Sequence, residues 1–123
     1  MYHSDYPVGG VLSVQENFYS AETRAMPPTE MYKAQLPGAT DEDFAATARG
    51  LDQAVTREQS LRAQTIDVAR MLHQEDKVGS LEIGKIANIT VFDTDFLTCP
   101  TDKIMDAKVV ATIVDGDVVY KKD

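Results

Sequence analysis

The dipeptide Asp115-Gly116 constrains the fold of this chain more than any other feature, because it separates two runs rich in β-branched residues. The first run reads VVATIV and the second reads DVVYK. Asp-Gly favours a two-residue turn of the primed type, whose twist matches that of paired strands. The sequence therefore predicts a β-hairpin in which residues 109–114 pair with residues 117–121.

A further strand is predicted before this hairpin, because the hydrophobic pattern changes after Gly79. The segment GSLEIGKIANITVFD alternates in part between apolar and polar residues, and it is rich in β-branched side chains. Ile89 and Val91 are predicted to share one face of the strand, and Thr90 and Phe92 the other.

Capping patterns predict the first helix. Ser13 and Glu16 have the spacing of a capping box, in which each residue satisfies a backbone amide of the other. We expect a helix over about residues 14–25, followed by a loop over residues 26–40 that contains three prolines.

Two further helices are expected after this loop. Thr40 can cap a helix that begins with the sequence DEDF, and its apolar stripe would be Phe44, Ala48, Leu51 and Val55. A capping box at Thr56 predicts another helix over about residues 57–73, whose inward stripe would be Leu61, Thr65, Val68 and Leu72.

A short strand over residues 3–7 is predicted at the start of the chain, and it has no local partner. The predicted order is thus β, α, α, α, β, β, β, which is an α+β arrangement. Each buried backbone group without a partner costs about 1–3 kcal/mol. The lone strand therefore pairs across the domain, or its natural neighbours are missing.

Composition excludes several functional classes. The chain has 123 residues and a net charge of −8, so it repels phosphate backbones. No apolar run reaches the roughly 18 residues of a membrane span, and no secretory signal follows Met1. Cys99 is the single cysteine, which rules out an internal disulfide and a cysteine-based zinc cage. We expect a reducing, cytoplasmic setting.

His3 and Asp5 are the first candidates for chemistry, because residues two apart on a strand point to the same face. An imidazole and a carboxylate placed there could meet at one metal ion or one substrate proton. A tight zinc site needs three or four ligands, and this pair supplies two at most. The alternative is that Asp5 caps the strand end and His3 is a surface residue.

The remaining polar candidates are explained by local structure. His73 suits the C-terminal end of a helix, and the acidic residues 41–43 suit the positive start of one. Cys99 has no nearby histidine in the sequence that would activate it as a nucleophile. No supporting constellation surrounds three other polar residues, Ser80, Lys85 and Asp93.

Four segments, in the same order, resemble the C-terminal part of amidohydrolase superfamily enzymes. Residues 79–93 are similar to the superfamily's GSLE-x-GK-x-AD string, and residues 108–120 to its final hairpin. The helix that contains residues 61–69 is similar to the last helix associated with the barrel. Residues 4–8, SDYPV, are similar to the segment that ends barrel strand eight. The branch that the chain resembles is the one typified by N-substituted formamide deformylase.

This resemblance implies an α+β chain that is the C-terminal fragment of a (β/α)8 barrel, followed by the C-terminal strands of a small β-sandwich. Residues 1–78 would be the last β/α elements of a metal-dependent hydrolase barrel. Residues 79–123 would be the C-terminal part of the composite sandwich. The unpartnered strand 3–7 would be barrel strand eight, in a parent of several hundred residues.

The resemblance also implies a chemistry. The position of Asp5 is that of an aspartate that binds a divalent metal, zinc in the full-length parent, and accepts a proton from the attacking water. The water would split an amide-like C–N bond. The other ligands of the family have no counterpart here, so we expect the chain alone to bind no metal and to be inactive. Asn88 replaces the usual aspartate of the GK-x-AD string, a position that we expect to be structural.

Two functional hypotheses follow. The chain is a fragment of an enzyme that acts on a small amide-like substrate, or it is a free-standing interaction or regulatory module derived from the same fold. Neither hypothesis involves nucleic acid or a membrane. Because removal of a barrel exposes apolar helix faces and unpaired strand edges, we also expect the chain to self-associate.

Overall fold

The computed structural model describes residues 13–123, so the predicted strand 3–7 lies outside the described residues. The elements of the described part are, in chain order, α1 Val14–Thr23, α2 Glu30–Gln35, α3 Asp41–Ala45, a 3₁₀ turn Leu51–Gln53, α4 Arg57–Gln64, α5 Ile66–Met71, β1 Ile89–Phe92, a 3₁₀ helix Thr101–Asp106, β2 Val109–Val114 and β3 Asp117–Lys121. The α-helices precede the strands, which confirms the α+β arrangement. Within residues 13–123 no helix is long and apolar enough to cross a bilayer.

The C-terminal hairpin has the predicted residues, with β2 and β3 joined by Asp115 and Gly116. Both turn residues have positive φ, at 52° and 89°, as a primed turn requires. The turn is also tied to the residues before β1, because Gly116 N–H donates to the carbonyl of Ala87 at 3.1 Å. The local chemistry of the turn is therefore sufficient to set the register of this pair.

The three strands form one antiparallel sheet in the order β1-β2-β3. The register between β1 and β2 shifts between Val91 and Phe92, and that between β2 and β3 shifts between Thr112 and Ile113. Such irregularities bend the strands and increase their twist. Residues 80–88, which the partial alternation placed with the strands, form turns instead.

Helix α1 confirms the first predicted helix. The hydroxyl of Ser13 accepts a hydrogen bond from the backbone N–H of Glu16 at 3.2 Å, which is the expected N-cap. The helix ends at Arg24, which has a left-handed φ of 57° and donates its N–H to the carbonyl of Ser20. Phe18 and Ala21 are buried, so the predicted face points into the core.

The loop predicted over residues 26–40 contains a short helix that was missed. In α2, Thr29 acts as the N-cap and accepts from the N–H of Tyr32. The prolines Pro27 and Pro28 precede this cap and Pro37 follows the helix, so none of them interrupts it. The cluster of prolines marked the two ends of a helix rather than a continuous loop.

The next predicted helix is much shorter than its apolar stripe suggested. Its capping box between Thr40 and Asp43 is complete, and Phe44 is buried. The helix nevertheless ends at Ala45, and Gly50 adopts a left-handed φ of 62° before the 3₁₀ turn. A left-handed residue cannot continue a right-handed helix, so the stripe stops after Phe44.

The helix predicted over residues 57–73 is two helices, because the backbone breaks at Thr65 with φ −127° and ψ −98°. The hydroxyl of Thr65 donates to the carbonyl of Leu61 at 2.7 Å, a bond that bends helices. The capping box at the start is confirmed: Thr56 accepts from the N–H of Gln59, whose side chain accepts from the N–H of Thr56.

The inward stripe predicted for these two helices is wrong in part. Ala69 is buried, but Leu61 and Leu72 are 39% and 61% exposed. Ser60, which was not in the stripe, is buried and accepts a hydrogen bond from Gln64. The helices therefore present one face to the core, while their apolar stripe lies largely open.

The core lies where α1 packs against α4 and the 3₁₀ helix Thr101–Asp106. Its large, fully buried apolar side chains are Phe18, Phe44 and Ile104. The ring of Phe18 stacks on that of Phe96 with centroids 4.9 Å apart, and Phe96 meets Phe92 edge-on at 4.7 Å. The strand β1 is thus joined to the helices through its last residue.

Candidate functional site

The predicted site residues Asp5 and His3 lie outside the described residues. Asp5 therefore remains a prediction as a metal ligand and proton acceptor. Residues 13–123 contain no group of three or more histidine, cysteine, aspartate or glutamate side chains that could hold a metal ion.

Two other polar candidates occupy structural positions. His73 follows α5 with a left-handed φ of 54°, and its N–H donates to the carbonyl of Arg70. Cys99 is half-buried, and both its carbonyl oxygen and its sulfur accept hydrogen bonds from Arg57. The helix-end role predicted for His73 is confirmed, and Cys99 lies in a structural network.

The acidic residues 41–43 start α3, as predicted. The N–H of Thr40 donates to the carboxylate of Asp43 at 2.7 Å, and its hydroxyl donates to the same oxygen. These bonds, led by the one from the backbone, hold the pKa of Asp43 below its usual value. The acidic run is therefore a helix cap.

The loop of the GSLE string is held by a cluster of three side chains. The hydroxyl of Ser80 donates to Glu82 Oε1 at 2.6 Å, and Lys85 Nζ donates to Ser80 Oγ at 2.5 Å and to Glu82 Oε1 at 3.3 Å. The Ser80 bond and then the Lys85 ammonium hold the pKa of Glu82 below its usual value. Because the three groups satisfy one another, the cluster fixes the loop and offers no free nucleophile.

Gly79 explains why this loop begins with glycine. Its φ is 92°, and a Cβ built on it would lie 2.7 Å from the Cβ of Ala69 and 3.0 Å from the Cα of Ile66. A real side chain cannot approach so closely, so only glycine lets the loop pack against the start of α5. Gly84 has a similar φ of 96°, but nothing lies within 4 Å of its hypothetical Cβ.

Asn88 has the structural role that was predicted, although with a distant partner. Its Oδ1 accepts from the N–H of Asp115 at 2.9 Å, across 27 residues of sequence. Together with the bond from Gly116 to Ala87, this contact holds the hairpin turn against the segment that leads into β1.

An open apolar cleft of about 630 Å³ lies between α4–α5 and β1. Its other wall is the loop of residues 78–81. The large apolar side chains that line it are Leu61, Val68, Leu72, Leu81, Ile86 and Ile89. A volume of this size is typical of ligand pockets, but its few polar groups offer no acid, base or nucleophile for chemistry.

The opposite face of α4 carries the densest polar network of the described part. Arg57 pairs with Glu22 of α1, with its Nε 2.9 Å from a carboxylate oxygen, and it also donates to the carbonyls of Phe96 and Cys99 and to the hydroxyl of Thr101. The hydrogen bond to Glu22 raises the pKa of the Arg57 guanidinium above its already high value. This network joins α1, α4 and the segment before the 3₁₀ helix, and sequence patterns gave no sign of it.

Comparisons with known proteins agree on one kind of enzyme. A family model described as "Amidohydrolase family" matches residues 3–120. An N-substituted formamide deformylase of Arthrobacter pascens is 38% identical over 71 residues, which are 58% of this chain and 13% of that protein. An imidazolonepropionase of Photobacterium profundum is 27% identical over a match that covers 85% of this chain and 28% of that protein.

A solved structure shares the fold. The crystal structure of an amidohydrolase from Thermotoga maritima MSB8 matches 96% of this chain and 22% of its own chain, with a TM-score of 0.50 and 23% sequence identity. The chain therefore spans between about an eighth and somewhat more than a quarter of the length of the relatives it matches.

Proposed function

This chain belongs to the amidohydrolase family, as the GSLE string and the final hairpin indicated, and on that premise we propose that it forms the C-terminal part of a metal-dependent hydrolase of amide-like C–N bonds. The match over residues 3–120 carries the proposal, because it includes both the position of Asp5 and the described sheet. In this proposal residues 1–78 are the last β/α elements of a barrel, and residues 79–123 belong to a composite β-sandwich.

The substrate class is supported by the names of the relatives. The deformylase that shares 38% identity is named for N-substituted formamides, which are amides. The second relative is named for imidazolonepropionate, whose ring also contains amide-like C–N bonds. We infer a small molecule with an amide-like carbon as the substrate of the complete enzyme.

Asp5 is the residue to which we assign the chemistry. A divalent metal, once bound, lowers the pKa of a coordinated water to about 7. The Asp5 carboxylate is our candidate for one ligand of that metal and for the acceptor of the water's proton. Residues 13–123 do not provide a metal site by themselves. The remaining ligands would thus come from a further segment of the amidohydrolase, since a catalytic zinc needs three protein ligands.

The chain by itself is therefore expected to be inactive, and this is the first test. The purified 123-residue chain is incubated with zinc or manganese and assayed on linear amides and N-acyl amino acids. We expect no turnover above that of the metal alone. Metal-dependent turnover by the chain would show that its own residues complete the site, contrary to the proposal.

A chimera tests the role of Asp5 in an active enzyme. This chain would replace the corresponding C-terminal region of the Arthrobacter pascens deformylase, and hydrolysis of an N-substituted formamide would be measured. We expect activity from the chimera, and a loss of at least about a hundredfold in kcat with Asp5→Asn. Asp41→Asn is the matched control, because Asp41 is an exposed carboxylate at the start of α3 whose pairing with Lys33 lies on the surface.

Two results of the chimera experiment would contradict the proposal. One is a folded chimera, with its circular dichroism intact, that has no activity. The other is an Asp5→Asn chimera that is as active as the Asp41→Asn chimera.

A further inference from the structure

Two apolar features that the described residues leave uncovered lie side by side on this molecule. One is the cleft between α4–α5 and β1. The other is the tip of the loop that forms its wall, where Leu81 is 82% exposed and Ile83 is fully exposed. Exposed apolar surface in one contiguous patch marks an interaction site, whereas single exposed apolar residues do not.

The loop tip is held in a form that presents these side chains. Glu82, which lies between them, is bonded to Ser80 and Lys85 within the loop. The Lys85 side chain is only 12% exposed, so this contact lies against the body of the protein. The charge of the loop is thus engaged locally, while Leu81 and Ile83 remain free to contact another surface.

The surface of the chain is larger than that of a typical monomer. Its accessible area is 8404 Å², whereas a folded monomer of 13.5 kDa exposes about 6,500 Å². The excess is about 1,900 Å² per chain. If a contact covered only half of this excess on each copy, the total buried area would again be about 1,900 Å², within the range of stable, specific interfaces.

We propose that two copies of this chain form a two-fold dimer in which the Leu81–Ile83 tip of each copy enters the apolar cleft of the other. A projection and a cleft on the same face can be satisfied reciprocally by a two-fold axis. Such an isologous contact uses both features on both copies and closes at two subunits. This proposal goes beyond the catalytic assignment and does not depend on it.

Charge predicts how this dimer responds to salt. Each copy carries a net charge of −8, so two copies repel each other at long range, while the side chains named in the contact are apolar. Added salt screens this repulsion and strengthens apolar contacts. Sodium chloride should therefore tighten the dimer, whereas an interface built on ion pairs would be weakened by it.

Sedimentation equilibrium over a range of concentrations tests the proposal with the chain as it exists. We expect a monomer–dimer equilibrium with a micromolar dissociation constant. Ile83→Lys should weaken the dimer at least about tenfold, and it cannot disturb the monomer because Ile83 is fully exposed. The matched control is Leu51→Lys, since Leu51 is 65% exposed and lies in the 3₁₀ turn away from the cleft.

Three results would overturn the proposal. The first is a wild-type chain that stays monomeric at the highest concentrations, which would leave the cleft for a different segment of an amidohydrolase. The second is an Ile83→Lys dimer as tight as the Leu51→Lys dimer. The third is growth beyond two subunits, which would indicate an open, head-to-tail contact. None of these results bears on the hydrolase assays, so the two proposals fail separately.

Discussion

The two faces of the α4–α5 pair differ in how they are covered. On one face Arg57 and Ser60 are held against α1 and the segment before the 3₁₀ helix, and Ser60 is 1% exposed. On the other face Leu61 and Leu72 line an open cleft. Polar residues are therefore buried on one side of these helices while apolar residues are exposed on the other.

This contrast shows that the residue type does not decide which face of a helix is covered. The first face is covered because Glu22, Thr101 and two backbone carbonyls satisfy the guanidinium of Arg57. Such bonds make burial of a charge tolerable. The second face lacks a counterpart within the described residues, although it has the composition of a core. We call these two sides the closed face and the cleft face.

The largest difference between the two faces should be seen in unfolding stability. Phe18 is 1% exposed and stacks on Phe96, so Phe18→Ala should cost about 3–5 kcal/mol of the free energy of unfolding. Leu72→Ala on the cleft face should cost less than about 1 kcal/mol, because Leu72 is already 61% exposed. Urea unfolding in dilute solution measures both. Equal losses would mean that the cleft is covered in solution.

The wall between the two faces depends on Gly79. Gly79→Ala should destabilise the protein by about 3 kcal/mol, since it adds a clash with Ala69 to the strain of a positive φ. Gly84→Ala is the control, with a similar φ and open space, and it should cost about 1–2 kcal/mol. The difference between the two variants in thermal or urea unfolding isolates the close packing of the loop against α5. Identical values would argue against that packing.

The ion pair of the closed face should matter more than one on the surface. The Arg57 side chain is 14% exposed, and Arg57→Met should cost about 2 kcal/mol because it leaves Glu22 and two carbonyls without their donor. Arg62 pairs with Asp67 at 3.6 Å, and both side chains are well exposed. Arg62→Met should therefore cost less than about 0.5 kcal/mol. Urea unfolding of the two variants compares the pairs directly, and a larger loss in Arg62→Met would contradict this account.

The smallest effect concerns the link between β1 and β2. Asp93 accepts from the N–H of Lys108 at 2.8 Å and from the hydroxyl of Thr94, and these bonds, the backbone one first, lower the pKa of Asp93. A carboxylate with a lowered folded pKa contributes stability above its unfolded pKa of about 3.8, and this contribution is lost as the pH falls through the lower, folded value.

Asp93→Asn tests this contribution through the pH dependence of Tm. The wild type should melt slightly above the variant at about pH 7, and the gap should shrink as the pH is lowered below about 3.8. Asp115→Asn is a suitable control, because this turn residue is exposed and its bond to Asn88 runs through its backbone N–H, which the substitution leaves in place. A gap that widens in acid would show that the sign is wrong.

Some features were predictable because their causes are local. The hairpin turn at Asp115-Gly116 and the caps at Ser13, Thr40 and Thr56 depend on residues close to one another in the chain. Turn chemistry and caps act before any tertiary contact forms, so the sequence alone predicts them. The family assignment was predictable for a similar reason, since its motif is one continuous string.

Other features were decided by contacts between distant residues. The Arg57 network joins residues 35 to 44 positions apart, and the bond from Asn88 to Asp115 spans 27. The break at Thr65 lies where the loop at Gly79 packs against the helix. Periodicity identifies an apolar stripe, but coverage of that stripe depends on which segments pack against it.

The sequence by itself determined where this chain turns, where most of its helices begin and which family it belongs to, because each depends on neighbouring residues. Only the tertiary structure decided that the Arg57 face of α4 is buried and that the Leu72 face is open. The physical reason is that burial is a property of two surfaces, whereas an amphipathic pattern describes one of them.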